Sequence, residues 1–134
     1  MIILTNTASQ ELAPGQSLTF DTKILHTGCA ECHRVGSGAV MMRMQNAIYD
    51  INFSANIGAT VAAGVAQLDI MLDGSPLIES TMISTTAAVG DLNNVAKDTG
   101  VKTCCCSPET ITIVNTGETT VIVENPSLFI KRIA

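Results

Sequence analysis

From Ile48 to Ile57 the chain alternates with a period of two: Tyr49, Ile51, Phe53, Ala55 and Ile57 interleave with Ile48, Asp50, Asn52, Ser54 and Asn56. Successive side chains of a β-strand leave opposite faces of the pleat, so the first set faces a core and the second, mostly polar, faces out. The same period returns in Val65 to Leu72, where Ala66, Leu68, Ile70 and Leu72 stand against Val65, Gln67, Asp69 and Met71. That run ends at Asp73-Gly74, a dipeptide suited to a tight hairpin, and Pro76 to Ser80 reads as the returning strand. Val95 to Cys105 is extended, and Thr110 to Asn115, Thr119 to Glu124 and Ser127 to Ile133 are rich in β-branched residues. Thr116-Gly117 makes one turn; Asn125-Pro126 separates the last two strands, since proline cannot donate to a ladder. Near the start, Ile2 to Thr5 and Ser17 to Phe20, joined through Pro14-Gly15, and then Ala39 to Met44 are further candidates. No segment sustains a 3.6-residue period over eleven or more residues, so the chain reads as all-β, with short strands spaced as in a sandwich or barrel.

Two stretches interrupt the pattern. Thr81 to Asn94 is small and polar and reads as a surface loop, although Met82, Ile83 and Leu92 need cover. Asp21 to Gly38 shows little strand pattern and holds the first cysteine cluster. Structureless loops beyond about 12 to 15 residues are uncommon in compact domains, so residues 21–38 need something to pin them.

A length of 134 residues makes residues 1–134 one domain with one core. The chain is 46% hydrophobic but only 3% aromatic, so Val, Ile, Leu, Met and Ala must fill that core. A charged fraction of 14% is low for a fully solvated surface, and part of it is expected to be covered by a partner. A net charge of -5 without a basic cluster disfavours nucleic acid and anionic membranes as partners, and no stretch approaches the length of a membrane span.

Cys29-Ala30-Glu31-Cys32-His33 spells C-x-x-C-H, the attachment sequence of a c-type haem. Haem would need an export signal, which Met1 to Gln10 does not show, and an apolar pocket, for which three Phe, one Tyr and no Trp are thin material; the sequence is read against it. Structural zinc fits better. Cys29 and Cys32 supply half of a tetrahedral site, and in an extended Thr103 to Ser107 the thiols of Cys104 and Cys106 share a face while Cys105 takes the other. The same four cysteines could form disulfides in oxidising surroundings, or remain free thiols. Either link would hold the 21–38 loop against the Cys104–Cys106 strand. His26 or His33 could replace a sulfur. Met42 and Met44 are expected on one face and Met41 on the other, packing rather than binding copper, and Asp69, Asp73, Glu79 and Asp91 lack the spacing of a calcium loop. No serine lies in a nucleophile motif and no orienting third group stands beside Cys29 and His33, so no enzyme activity is expected.

The order of Tyr49-Asp50-Ile51-Asn52-Phe53-Ser54, the long strand into Asp73-Gly74, Thr110-Ile111-Thr112-Ile113 and the closing Ser127-Leu128-Phe129-Ile130-Lys131-Arg132-Ile133 resembles the globular heads of the complement and tumour-necrosis-factor superfamily. The resemblance, over about Ala39 to Ala134, implies a ten-stranded jelly roll assembled as a homotrimer. Asn6-Thr7-Ala8-Ser9-Gln10, Leu12-Ala13-Pro14-Gly15 and His26-Thr27-Gly28-Cys29 also look like small proteins encoded by phages and prophages of gut Firmicutes. Together these imply a virion structural protein: a capsid decoration, head fibre or tail appendage, made in the host cytoplasm. Its partners would be other virion proteins and a host-surface glycan or protein. The rivals are a bacterial or spore-surface trimeric head, and a small metal-binding or redox protein using Cys29, Cys32 and His33.

Overall fold

The computed structural model describes residues 1–104 and 107–134. In chain order the strands are β1 (Ile2–Thr5), β2 (Gln10–Leu12), β3 (Thr22–His26), β4 (Glu31–His33), β5 (Val40–Met42), β6 (Ile48–Ala59), β7 (Val65–Leu72), β8 (Ser75–Pro76), β9 (Met82–Thr85), β10 (Asn93–Lys102), β11 (Glu109–Asn115) and β12 (Val121–Arg132). Sheet 1 has the order β10-β6-β12-β1-β3, with β2 also on β12; sheet 2 has the order β4-β5-β11-β7-β8, with β9 also on β7. The chain changes sheets from β3 to β4, β5 to β6, β6 to β7, β9 to β10, β10 to β11 and β11 to β12, which is the winding of a jelly roll. Among the described residues there are twelve strands, β2 and the two-residue β8 being short additional pairings.

The alternation in β6 sorts as the sequence dictates: Tyr49, Ile51, Phe53, Ala55 and Ile57 are buried. They meet Leu68 and Ile70 of β7, Ile111 and Ile113 of β11, and Leu128 and Ile130 of β12 in one hydrophobic cluster spanning both sheets. At the Asp73-Gly74 hairpin both residues take positive φ, 49° and 82°, as a two-residue primed turn requires. Gly58 meets a different demand, since a Cβ there would stand 2.1 Å from the Asp91 carbonyl oxygen.

Several local expectations are corrected. Asn125-Pro126 does not end a strand: β12 runs through it, with the register slipping between Glu124 and Ser127 where two residues face Ala55 alone. Asn125 takes φ 50°, so this is a β-bulge, and the missing proline N–H falls where the ladder is already broken. The extra residue shifts the alternation, leaving Leu128 and Ile130 inside and Phe129 on the outer face. The 21–38 stretch is not structureless, because β3 pairs with β1 and β4 pairs with β5. Likewise β9 and the start of β10 lie within 81–94, and buried Met82 finds its cover against β7. Ser17–Phe20 forms a single bridge, Ser17 to Val114, rather than a strand. The return after Asp73-Gly74 stops at Pro76. β5 ends at Met42, so Met44 does not share its buried face: Met42 is fully buried while Met41 and Met44 are exposed.

Candidate functional site

Two places gather side chains that the core does not need. The first is the outer face of sheet 1. The registers place Asp98, Asn52, Phe129, Ile3 and Leu25 in one row across β10, β6, β12, β1 and β3. The next row is small and polar: Ala96, Ser54, Ser127, Thr5 and Thr22. Phe129 therefore walls a shallow groove of about 380 Å³ whose other side chains include Asn52, Ser54, Ala96, Asp98 and Ser127. An aromatic ring continued on one side by two aliphatic side chains, Ile3 and then Leu25, beside a row of small residues, is a surface another flat face can approach closely. At its border, the hydrogen bond that protonated Asp50 can donate to the Asp98 carboxylate holds the Asp50 pKa above the ordinary carboxylate value, with partial burial and the Asp98 charge adding and Lys131 opposing.

The second place is the rim holding the cysteines. Buried Tyr49 donates its hydroxyl to the Ala30 carbonyl at 2.9 Å and accepts from the Met44 N–H at 3.2 Å. Thr103 donates to the Met44 carbonyl at 2.7 Å and accepts from the Ala47 N–H at 3.0 Å, and the Asn46 N–H reaches the Cys104 carbonyl at 3.4 Å. Residues beside Cys29 and beside Cys104 are thereby tied to the same 43–47 turn, by hydroxyls and main chain. Cys29 and Cys32 are exposed free thiols and Cys104 is exposed; Cys106 lies outside the described residues. Among the described residues no three His, Cys, Asp or Glu side chains come together in a way that could hold a metal ion. Cys32 points outward from edge strand β4 opposite Met41. Cys32→Ser should accordingly change stability by less than about 0.5 kcal/mol. A melting temperature lowered by several degrees would instead reveal a sulfur bridge or metal ligand at this position.

The remaining candidates are engaged locally. His26 Nε2 lies 2.9 Å from the Glu31 carbonyl oxygen and His33 Nε2 lies 2.8 Å from that of Ser37. Asp69 is buried and accepts from Ser80, Thr81 and Thr116 hydroxyls; Asp73 accepts from Thr110. The Thr99 hydroxyl bonded to Glu79 holds that carboxylate below its ordinary pKa. Sequence reasoning missed two residues. Glu31 has its carboxylate buried, accepting from the Met1 ammonium at 2.6 Å and the Arg132 N–H at 3.1 Å. Phe129 was legible only as part of a closing strand, and the signal that could have found it is the phase shift a bulge at Pro126 imposes.

No family model and no curated protein sequence matches the chain. Solved structures share its fold. The PRD1 vertex protein P5 superposes with a TM-score of 0.55 at 13% identity, over 99% of this chain and 96% of that one. The globular domain of zebrafish complement 1qA protein does so with a TM-score of 0.55 at 11% identity, over 96% of this chain and 94% of that one. At these identities the likeness establishes the jelly roll, as the strand order does.

Proposed function

We propose that the chain is a structural protein of a phage particle, a jelly-roll head that assembles as a homotrimer through the outer face of sheet 1 and contacts other virion proteins or the host surface. The observation that carries this reading is the likeness to a vertex protein over 99% of this chain and 96% of that one. The outer face of sheet 1 supports the homotrimer: Phe129, Ile3 and Leu25 form an apolar row on a chain with only 14% charged residues. A closed ring of three copies would cover each such row without leaving a free end. Host-surface recognition, by glycan or protein, would then belong to the loops left uncovered.

Copurification tests the virion assignment. Mass spectrometry of gradient-purified particles from a culture that encodes the chain should find it at stoichiometric levels with the capsid proteins. Recovery with the cell envelope or spore coat, and not with particles, would contradict the assignment and favour a bacterial surface head.

A further inference from the structure

We propose that β4 is an acid-released latch, held closed by the neutral form of His33. The strand has three residues and pairs on one side only, with β5. Apolar burial does not hold it, because both of its inward side chains, Glu31 and His33, are ionisable and its middle residue, Cys32, faces out. His33 is 5% exposed. Its Nε2 faces the Ser37 carbonyl oxygen, which can only accept, so Nε2 carries the proton and Nδ1 is a bare acceptor. Nδ1 is buried without a hydrogen-bond partner. Protonating it would create a buried cation with an unsatisfied N–H, a form the closed strand cannot solvate.

The surroundings offer that cation no relief. From the segment before β3, Phe20 presents a ring at 6.2 Å between centroids and 78° between planes. From β3 comes Lys23, whose ammonium lies 3.3 Å from the His33 carbonyl oxygen, and the next residue in the chain is Arg34. On β4 itself the Glu31 carboxylate is already taken by Met1 and Arg132. Burial foremost, with Lys23 adding, places the His33 pKa below the ordinary 6.5, against the opposing Ser37 bond. The sign follows from linkage. Above pH 6.5 both closed and open strands are neutral at this residue; as pH falls below 6.5 the open strand binds the proton first, so the opening equilibrium rises by up to tenfold per pH unit until the lowered closed-state pKa is passed. The released strand leaves Val40–Met42 of β5 as an open edge and uncovers Phe20.

Hydrogen exchange of the whole protein, read by mass spectrometry at pH 7.5 and 5.0 and corrected for intrinsic rates, tests the latch. Amides of β4 and β5 should exchange about tenfold faster at the lower pH while β6 and β12 stay protected. In His33→Gln, whose side-chain amide can still donate to the Ser37 carbonyl but does not titrate, the step should vanish. Equal protection of the wild type at both values, or the same acid step in the variant, would overturn the proposal. Should the variant fail to fold, titration of the wild-type His33 ring by NMR decides: a midpoint below 6.5 is expected, and one at or above it overturns the latch.

Discussion

Phe129→Lys should convert an assembly of three 14.0 kDa chains into a 14.0 kDa monomer at micromolar concentration. Phe129 points away from the core, between Asn52 of β6 and Ile3 of β1, so its loss takes little from the fold of one subunit. In the proposed trimer it would be the aromatic anchor of the contact face, and truncating such an anchor costs about 2 kcal/mol or more per copy. A lysine there adds an ammonium that must be desolvated without a partner, and the threefold repeats the cost. Light scattering on the variant, with hydrogen exchange to show that the two sheets stay protected, checks the expectation. A variant that keeps the wild-type mass would place the contact elsewhere on the surface.

Asn115→Ala should give the largest loss of stability from a single polar side chain. Asn115 is fully buried at the end of β11. Its amide donates to the Leu12 and Thr119 carbonyls at 2.9 and 2.8 Å, and its carbonyl oxygen accepts from the Gly117 N–H at 2.9 Å. One side chain thus joins the end of β2 to both sides of the 116–120 turn. Removing it strands one buried main-chain group, the Leu12 carbonyl, and two part-buried ones in the 116–120 turn; with an unsatisfied buried group worth about 1 to 3 kcal/mol and the other two partly rescued by water, a total of about 3 kcal/mol is expected. For a chain of this size the melting temperature should fall by roughly 10 °C or more at fixed protein concentration. A loss under about 1 kcal/mol would mean that water takes over these bonds.

The long strands were legible because their signal is local and periodic. The buried residues of β6 follow from the alternation alone, and the Asp73-Gly74 turn from the positive φ that Asp and Gly tolerate. β3, β4 and β9 were not, because Thr22–His26 and Met82–Thr85 lie at or near sheet edges, where tertiary pairing rather than sequence period makes the strand. Pro126 misled for a specific reason: the rule that proline ends a ladder holds only where the ladder is regular, and here a bulge removes the demand for its N–H. The same bulge decides which way Phe129 faces, so the candidate contact surface was hidden with it. The cysteines were the loudest motif; residues next to Cys29 and Cys104 share the 43–47 turn, and the groups that join them there are Tyr49 and Thr103. Hydroxyl partners 19 and 59 residues apart leave no spacing signature in a sequence.

The mass of the wild-type protein in solution bears most directly on the trimeric head. Light scattering coupled to size exclusion, at micromolar concentration and neutral pH, should return three times 14.0 kDa without a monomer peak. A single species of 14.0 kDa under those conditions would contradict the account, because the apolar row of Phe129, Ile3 and Leu25 would then face water uncovered.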